Sequence, residues 1–368
     1  MKKLFFSISL SVVLLPALFL LGSMATAYIS PVKLHVLTFG GFLFPLLWPL
    51  NLLIFFWLLV RKSKLLIIPL CALIVSWTHM TNSFQFKAKT ISEADSLQQP
   101  LRVMTYNTHM FDFYNHSGLK GSPEAIFDFI VQQNPDVICF QEYFTSLRKT
   151  AYSPSQIIAR FRQYGYRHIE YSKLQKGNTG YGLATFSRYP IINKGSIPFE
   201  RTSNQAIYTD INVNGTTIRV FNNHLESIGF KDSDLSVLDT IDLRMNQYQR
   251  EGLRNISRKL NRAFAMRSNQ AEAIARHISN SPYPVVVCGD FNDTPVSYVY
   301  RTMRGNLKDA FKESGAGFGG TYNGRLPSFR IDYIFHSPEF ESWNFKRFPI
   351  KYSDHFPIMT TIDLKTND

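Results

Sequence analysis

The chain has 368 residues, 45% of them hydrophobic, and a formal net charge of +13 at pH 7. This length holds one large domain and a further segment. Three cysteines are too few for a disulfide framework, and none has the paired spacing or histidine partner that a zinc site or a thiol nucleophile needs. The excess of positive charge fits an anionic substrate or lipid surface, but many soluble domains are equally basic.

Three long uncharged segments occupy the N-terminal part of the chain. They lie between residues 3 and 33, from 35 to 60 and from 65 to 86. Each is long enough to cross a hydrocarbon core of about 30 Å. We therefore predict a membrane anchor over residues 1–82 with about three transmembrane helices.

The first of these segments also resembles a cleavable signal peptide, because Lys2-Lys3 precede its apolar stretch and Ala25-Thr26-Ala27 follow that stretch. Its apolar part is long for a signal peptide, which favours a retained helix. Positive charge near membrane ends stays cytoplasmic, and the basic clusters are Lys2-Lys3 and residues 61–64. With or without cleavage, we expect a multi-pass protein of the inner (cytoplasmic) membrane whose main domain is periplasmic.

Residues 83–100 are polar and lack periodicity, which predicts a linker. Over residues 101–366, strand-like runs alternate with helical patterns, as is typical of an α/β (α+β) domain. The predicted strands are 102–107, 136–142, 181–187, 206–213, 217–224, 330–336, 356–363 and a central one that begins at Val285. The predicted helices are 123–133 and most of 231–281.

Residues 244–267 form a predicted amphipathic helix with a basic face. Basic side chains are interleaved with apolar ones at spacings of three and four. The basic positions are Arg244, Arg250, Arg254, Arg258, Lys259, Arg262 and Arg267. Such a face lies on anionic phospholipid, grips a polyanion, or is the solvated side of a helix that covers a sheet. The sequence leaves these alternatives open.

Polar side chains recur where apolar strands end. They are Asn107, Glu142, Asn222, His224, Asp290, Asn292, Asp332, Asp354 and His355. The clearest case is the run Val285-Val286-Val287-Cys288, a buried strand that is followed by Asp290 and Asn292. A single polar residue at a strand end carries little information. Several such residues with complementary chemistry predict that the strand ends meet in one site.

This set of side chains fits phosphoester hydrolysis. The carboxylates of Glu142 and Asp354 are hard oxygen ligands suited to Mg²⁺ or Mn²⁺. Asp290 is placed to orient or deprotonate an attacking water, and Asp332 is the natural partner for His355. Because the sequence has neither metal ligands at helical spacing nor a Gly-x-Ser-x-Gly turn, zinc peptidases and serine hydrolases are excluded.

A few residues allow two interpretations. Arg330 either contacts a substrate phosphate or merely precedes a strand. The other histidines have no partner visible in the sequence, and we expect structural or surface roles for them: His109, His116, His168, His277 and His336.

Six short motifs occur in an order that resembles one known superfamily. They are Tyr106-Asn107, Gln141-Glu142, Asn222-Asn223-His224-Leu225, Gly289-Asp290-Phe291-Asn292, Arg330-Ile331-Asp332-Tyr333 and Ser353-Asp354-His355-Phe356-Pro357. Residues 101–366 are thereby similar to the endonuclease/exonuclease/phosphatase superfamily, which includes nucleases, sphingomyelinases and inositide phosphatases. Any one motif is weak, but the ordered set is specific.

The resemblance implies a four-layer sandwich, in which two mixed β-sheets pack face to face with helices outside. It implies a metal ion on Glu142, with Asn107 and Asp354 beside it. Water would then attack the phosphorus in line, without a covalent intermediate.

The resemblance also implies roles for the remaining polar residues. Asp290 becomes the base or water-orienting group, and Asn292 steadies the phosphate. The pair of Asp332 and His355 becomes the electrostatic stabiliser. His224 becomes a phosphate contact or a helper of the leaving group.

Three departures from the superfamily's motifs narrow the substrate. His109 stands where abasic-site endonucleases carry an aspartate, and Tyr143-Phe144 stand where they have a short residue and a lysine. The 5-phosphatases have Cys-Asp-Arg where this chain has Ile331-Asp332-Tyr333. Abasic-site repair and inositide 5-phosphatase activity are therefore disfavoured.

We expect a membrane-anchored, Mg²⁺-dependent phosphodiesterase that acts on lipid head groups or on nucleic acid, with Asn107, Asn222 and Arg330 as candidate substrate contacts. A lipid substrate fits the membrane anchor, whereas an extracytoplasmic nuclease fits the net positive charge. The remaining alternative is a catalytically silent, membrane-bound binding module. The sequence indicates no protein partner.

Overall fold

The computed structural model describes residues 2–34, 39–92, 96–148, 150–175, 179–200, 202–230, 232–239 and 246–364. The chain divides into two compact units. The first unit comprises Met1–Thr81, Glu226–Glu272 and Thr294–Thr302. The second comprises Asn82–Leu225, Ala273–Asp293 and Met303–Asp368.

Long apolar helices make up the N-terminal part of the chain: α1 (Lys2–Met24), α2 (Gly40–Val60) and α3 (Ile67–Ser83). Within the described ranges, three helical segments are long and apolar enough to cross a membrane, namely Ser9–Ala27, Gly40–Val60 and Lys64–Ser83. Their mean hydropathies are 2.1, 2.2 and 1.5. The predicted apolar helices therefore exist as helices, and their place in a membrane stays a prediction.

A buried amide joins the first two helices. Asn51 of α2 is fully buried, and its Nδ2 lies 3.0 Å from the carbonyl oxygen of Pro16 in α1. The same nitrogen donates to Leu47 O at 2.9 Å. Polar side chains of this kind satisfy backbone groups and hold apolar helices together where no water is available.

The rest of the first unit consists of α6 (Asp232–Asp239), most of α7 (Gln247–Ser279) and the start of α8 (Tyr298–Arg304). The Phe264 ring of α7 lies against the rings of Phe39 and Phe42, with centroids 5.9 and 5.8 Å away. Thr26 Oγ1 donates to Val296 O at 2.6 Å. The apolar side of α7 is thus packed within the same unit as the N-terminal helices.

The basic face of α7 is narrower than predicted. A stripe of exposed arginines at every fourth position covers one side of the helix: Arg250, Arg254, Arg258 and Arg262. Arg267 is instead fully buried, and it donates to Glu226 O at 3.0 Å. Lys259 pairs with Asp234, and Arg244 lies outside the described residues.

The second unit contains two mixed sheets, each of six strands in the described part of the chain. Sheet I has the strand order β10 (Lys308–Asp309), β12 (Asp332–His336), β9 (Val285–Asp290), β8 (Thr216–His224), β7 (Gln205–Val213), β6 (Ile191–Ile197). Sheet II has the order β13 (Glu341–Arg347), β14 (Ile358–Asp363), β2 (Pro100–Asn107), β3 (Val137–Ser146), β5 (Thr179–Ser187), β4 (Tyr166–Gln175). The remaining elements are β1 (Phe84–Gln85), β11 (Gly317–Phe318), α4 (Ser122–Gln133), α5 (Pro154–Arg160) and α9 (Ala310–Ser314).

Each sheet has one parallel pair of strands at its centre and antiparallel pairs on both sides. In sheet I the pair is β8 and β9, and in sheet II it is β2 and β3. The two strands of a parallel pair end at the same edge of their sheet. His224 is aligned with Asp290 at the end of one pair, and Asn107 with Gln141 near the end of the other. Polar residues of distant sequence positions therefore meet at two strand edges.

Two apolar cores hold these layers together. One contains inward residues of both sheets, such as Val103, Val220 and Val286. The other is rich in aromatic residues and joins sheet II to α4 and α5, with Met104 and Phe127 among its members. Adjacent residues of β2 thus enter opposite cores, as the alternation of side chains along a strand requires. The predicted pair of mixed sheets flanked by helices is confirmed.

The sequence did not predict β4, β6 and β13. All three are edge strands, and edge strands have one side without a neighbour. Proteins protect such edges with polar and charged side chains, so the apolar run that identifies a buried strand is missing. Residues 83–100, predicted as a linker, include β1, and the backbone N–H groups of Gln98 and Gln99 donate to the Asp363 carboxylate.

Candidate active site

The candidate site lies in the second unit, where the ends of the two parallel strand pairs meet. Asp290 ends β9 of sheet I, and Asn107 ends β2 of sheet II. Asn107 Nδ2 donates to Asp290 Oδ2 at 3.0 Å. This hydrogen bond joins the two sheets and places the strand ends around one point.

Asp290 is the centre of this arrangement and is 1% exposed. Its carboxylate accepts from Asn292 N at 2.8 Å and from Asn292 Nδ2 at 3.1 Å. The Nε2 atoms of His224 and His355 lie 3.7 and 3.6 Å from its Oδ2. Burial raises the pKa of Asp290, and the two histidines and the Asn107 amide oppose that rise.

The backbone around Asp290 explains why the sequence has glycine and asparagine there. Gly289 has a φ of +139°, and a Cβ at this position would lie 2.0 Å from Asn223 O. Only glycine allows β8 and β9 to approach so closely. Asn292 has a φ of +53°, a left-handed conformation that asparagine tolerates well. This turn points the Asn292 amide back at Asp290.

His355 is held by a second carboxylate. Its Nδ1 lies 2.9 Å from Asp332 Oδ2, and Asp332 is aligned with Asp290 across the antiparallel pair of β12 and β9. Ser353 Oγ accepts from His355 N at 3.1 Å and donates to Asn107 O at 2.8 Å. Burial alone would lower the pKa of His355, but the Asp332 and Asp290 carboxylates raise it well above its ordinary value. The two carboxylates therefore favour the positively charged form of His355.

The pKa of His224 is shifted in the opposite direction, downward. Burial lowers its pKa, and the charge of His355 adds to this effect, whereas Asp290 opposes it. Its Nε2 lies 3.9 Å from Glu142 Oε1. The pKa values of the two imidazoles near Asp290 are thus shifted in opposite directions.

Glu142 sits at an irregularity in β3. The pairing of β3 with β5 shifts between Phe140 and Tyr143, and Glu142 has a φ of +52°. Such a bulge redirects a side chain out of the regular alternation. Glu142 is accordingly the one residue of β3 that is not fully buried. Burial, the nearby Asp354 and Asp290 raise its pKa to about 7, while His355 and a hydrogen bond from Asn107 oppose the rise.

We expect a divalent cation to be held by Glu142, Asp354 and Asn107. The Glu142 and Asp354 side chains are 19% and 39% exposed, so water reaches both. Mg²⁺ takes one or two carboxylates and keeps several waters, and these donors offer that combination.

A second group of potential ligands is more enclosed. The group consists of Asp290, Asp332 and His355. One potential ligand atom from each side chain lies within 4.8 Å of the other two. In this group, the carboxylates of Asp290 and Asp332 already favour the charged form of the His355 imidazole. The Nδ1 atom of that ring is hydrogen-bonded to Asp332. A cation that used Nδ1 of His355 would have to displace this hydrogen bond.

Two expected substrate contacts lie elsewhere. Arg330 is 4% exposed and forms a bidentate ion pair with Asp309 at 3.1 and 2.7 Å. It also donates to Asn82 O at 2.7 Å. Asn222 is fully buried between the sheets, where it accepts from Gln141 and donates to Phe140 O and Ala184 O. Both side chains are engaged in internal contacts, which corrects the expectation that they reach a substrate.

Sequence reasoning missed several residues that surround the site. His109 Nδ1 lies 3.4 Å from Asp354 Oδ1, and its ring stacks on His116 at 4.6 Å. The Tyr322 ring meets His355 edge-on at 6.0 Å. The turn that carries His109 has four consecutive left-handed residues, with φ from +45° to +58° over 109–112. No sequence pattern signals such a turn.

Two sequence models match the chain. A sequence model of the Endonuclease/Exonuclease/phosphatase family matches residues 104–355. A second one, described as a domain of unknown function (DUF8431), matches residues 2–83. A search of curated proteins finds no match.

Solved structures share the fold at low sequence identity. An endonuclease/exonuclease/phosphatase from Beutenbergia cavernae is 19% identical, with 73% of this chain and 72% of that one covered and a TM-score of 0.52. SmcL is 17% identical, with 72% and 99% covered and a TM-score of 0.51. The human Nocturnin catalytic domain with bound sulfate is 17% identical, with 73% and 96% covered and a TM-score of 0.49.

The family match covers more than half of the chain, so the chain belongs to the endonuclease/exonuclease/phosphatase family. Members of this family are hydrolases of phosphoester bonds that generally use a divalent metal. The chain is accordingly a metal-dependent phosphoric ester hydrolase.

Proposed function

We propose that this member of the family is a membrane-anchored, Mg²⁺-dependent phosphodiesterase that cleaves its substrate by in-line attack of water. The observation that carries the proposal is the convergence on Asp290. Side chains from β2, β8 and the segments after β9 and before β14 all lie within 3.7 Å of its carboxylate. Such a set of donors around one buried acid is costly to assemble for stability alone.

Glu142, Asp354 and Asn107 are the residues that would hold the cation, with Mn²⁺ as a substitute for Mg²⁺. When bound, the cation polarises a phosphoryl oxygen and neutralises developing charge. The raised pKa of Glu142, about 7, supports this assignment, because a carboxylate that is hard to ionise alone is stabilised by a positive partner.

Asp290 takes a proton from the attacking water. Asn107 and Asn292 hold its carboxylate in a fixed orientation through three hydrogen bonds between 2.8 and 3.1 Å. Asp290 thereby directs the lone pair of the water oxygen at the phosphorus. As that oxygen bonds to phosphorus, the bond to the leaving oxygen breaks and the proton remains on Asp290.

The two histidines act on the phosphate. His355, kept charged by Asp332, donates a hydrogen bond to a non-bridging oxygen and stabilises the extra negative charge of the transition state. His224 is neutral and lies 3.7 Å from Asp290 and 3.9 Å from Glu142, so it contacts the phosphate or assists the leaving oxygen. Asn292 steadies the phosphate from the other side of Asp290.

The proposed location is the inner membrane. Three apolar helices of the first 83 residues would span it, with the basic residues at 2–3 and 61–64 on the cytoplasmic side. The catalytic residues would then lie in the periplasm. Their substrate would be a phosphodiester of lipid or nucleic acid.

A nuclease is the second candidate, and the stripe of Arg250, Arg254, Arg258 and Arg262 favours it. These exposed arginines have no described carboxylate within ion-pair distance. Phosphate contacts of this kind make binding strongly dependent on salt. A silent binding module is disfavoured, because the residues expected of a hydrolase are all present.

The test is a substrate panel with the solubilised full-length protein and Mg²⁺. It compares a bis-aryl phosphate, plasmid DNA, RNA and phospholipid vesicles, each with and without EDTA. We expect hydrolysis of the bis-aryl phosphate that EDTA abolishes. Activity on DNA that falls steeply with salt would identify the nuclease, and inactivity on every substrate would refute the proposal.

A further inference from the structure

The short ribbon of β1 and β11 exposes a group of aromatic rings. Phe84 is paired with Phe318 in the antiparallel register, with ring centroids 4.7 Å apart. Phe86 lies 5.0 Å from Phe84. Phe86 and Phe318 are 72% and 74% exposed, although phenylalanine is normally buried. We call Phe84, Phe86 and Phe318 the aromatic patch.

The aromatic patch is tied by covalent continuity to the end of the third candidate span. That span ends at Ser83, one residue before Phe84. Phe86 is three positions after Ser83, so the chain places it within about 11 Å of that residue. Phe318 is the strand partner of Phe84, and paired strands lie about 5 Å apart. If α3 crosses a bilayer, Phe84 therefore lies at the depth of the head groups, a layer about 5–8 Å thick on each side, and Phe86 and Phe318 lie in or next to that layer.

Basic side chains surround a cavity beside the aromatic patch. The cavity has a volume of about 420 Å³, and Phe318, Lys346 and Arg347 are among the residues that line it. Its lining residues, all of them described, include no Asp or Glu. Lys87, next to Phe86, is also exposed. Aromatic rings beside lysine and arginine are the composition of protein surfaces that lie on anionic lipid.

The same ribbon leads directly to the candidate active site. Tyr322 is four positions after Phe318, a path of at most about 14 Å. Tyr322 forms a β-bridge with His355, and Thr321 Oγ1 accepts from the backbone N–H of Asp332 at 3.1 Å. The Arg347 guanidinium lies 4.8 Å over the ring of Phe356, the residue after His355. A membrane that contacts Phe318 is therefore close to the catalytic histidine.

We infer that the aromatic patch, together with Lys346 and Arg347, seats the catalytic unit on an anionic bilayer, and that the substrate is a phosphodiester in a lipid head group. This inference rests on the proposed hydrolase function and names its substrate class. The aromatic rings enter the interface, and the basic side chains contact lipid phosphates. The phosphodiester then reaches the site from the lipid surface instead of from solution.

The first experiment compares hydrolysis of a soluble and a membrane substrate by full-length protein. The test variant is Phe86→Ser with Phe318→Ser, and the control is Leu174→Ser, since Leu174 is 69% exposed on β4. We expect both variants to keep wild-type activity on a soluble bis-aryl phosphate. On vesicles with phosphatidylglycerol, the test variant should lose about tenfold or more, as expected when two interfacial aromatic side chains are removed.

A second pair of variants tests the basic part. Lys346→Glu with Arg347→Glu should lower activity on phosphatidylglycerol vesicles much more than on neutral phosphatidylcholine vesicles. Equal losses on both vesicle types would overturn the electrostatic part of the inference.

A third measurement is independent of activity. In reconstituted protein, brominated lipids should quench the added fluorescence of Phe318→Trp but not that of Leu174→Trp. Absence of quenching at position 318 would overturn the seating surface. Hydrolysis of DNA but not of vesicles by the wild type would overturn the substrate class. If the wild type fails on the soluble phosphate as well, the proposed function itself fails.

Discussion

Asn107 Nδ2 lies 3.0 Å from Asp290 Oδ2, although the two residues are 183 positions apart and belong to different sheets. Asn107 is 2% and Asp290 1% exposed, so this contact forms only after both sheets have packed. The Asp290 carboxylate is therefore oriented by residues of both sheets. Neither sheet by itself contains a working site.

The first prediction concerns Asp290. Asp290→Asn keeps the shape of the side chain but removes the proton acceptor, so hydrolysis of a bis-aryl phosphate should fall by about 10²–10⁴-fold. Asp128→Asn is the matched control, because Asp128 is 69% exposed and pairs only at the surface, with Arg160. Near wild-type turnover by the folded Asp290→Asn protein would remove Asp290 from the mechanism.

The second prediction concerns metal binding at Glu142. A metal ligand must be deprotonated, and the pKa of Glu142 is raised by burial and by Asp354 to about 7. The raised pKa means that the folded state prefers a protonated Glu142, whose ordinary pKa is 4.5. Without metal, the free energy of unfolding should therefore fall as the pH rises from 4.5 toward 7. Mg²⁺ should therefore raise the melting temperature more at pH 8 than at pH 6.

The control for this measurement is Glu142→Gln, which cannot ionise. In this variant the Mg²⁺-dependent rise in melting temperature should be small at both pH values. An equal rise in wild type and variant would show that the cation binds elsewhere, for example among Asp290, Asp332 and His355.

The third prediction separates a structural from a substrate-binding role for Arg330. Its side chain is 3% exposed and its partner Asp309 is fully buried. Arg330→Met leaves that carboxylate without its partner and should destabilise the fold by about 3–5 kcal/mol. Arg330→Met combined with Asp309→Leu should recover much of this loss. If the Arg330→Met protein is as stable as wild type and only its KM is raised, Arg330 contacts the substrate phosphate after all.

The fourth prediction concerns acid stability. Burial opposes the charge of Glu313, but hydrogen bonds from His336 and Ser342 lower its pKa from 4.5 to about 2. A lowered folded pKa contributes stability that is present above pH 4.5 and is lost as pH falls toward 2. Glu313→Gln should therefore be less stable than wild type at pH 7, and the two melting temperatures should converge at low pH. A difference that is constant with pH would contradict this.

Much of the fold and of the site was predictable because the relevant signals are local. A buried strand such as β9 is a continuous apolar run, and the polar residue that ends it stands out from that run. Asp290, Asn292, His224 and Glu142 were all identified in this way. The parallel pairing that brings such strand ends together follows from the α/β alternation.

The parts that were not predictable depend on distant partners. Arg330 and Arg267 are buried charges, and nothing near them in sequence reveals Asp309 or the carbonyl of Glu226 as partners. The contact between His109 and Asp354 depends on a left-handed turn, for which the sequence has no glycine to signal it. Edge strands such as β6 were not predicted, because many of their side chains face water and the sequence therefore lacks a continuous apolar run.

The junction at Asn82 has a practical consequence for cutting the catalytic unit free. Asn82 O accepts from Arg330, and its Oδ1 accepts from Lys312 at 2.8 Å. A fragment trimmed to residue 101 would lose Asn82 and β1, and the Arg330 guanidinium would lose an acceptor two positions from Asp332. A fragment that starts at Asn82 keeps these contacts, but it removes Phe39 and Phe42, against which Phe264 of α7 packs.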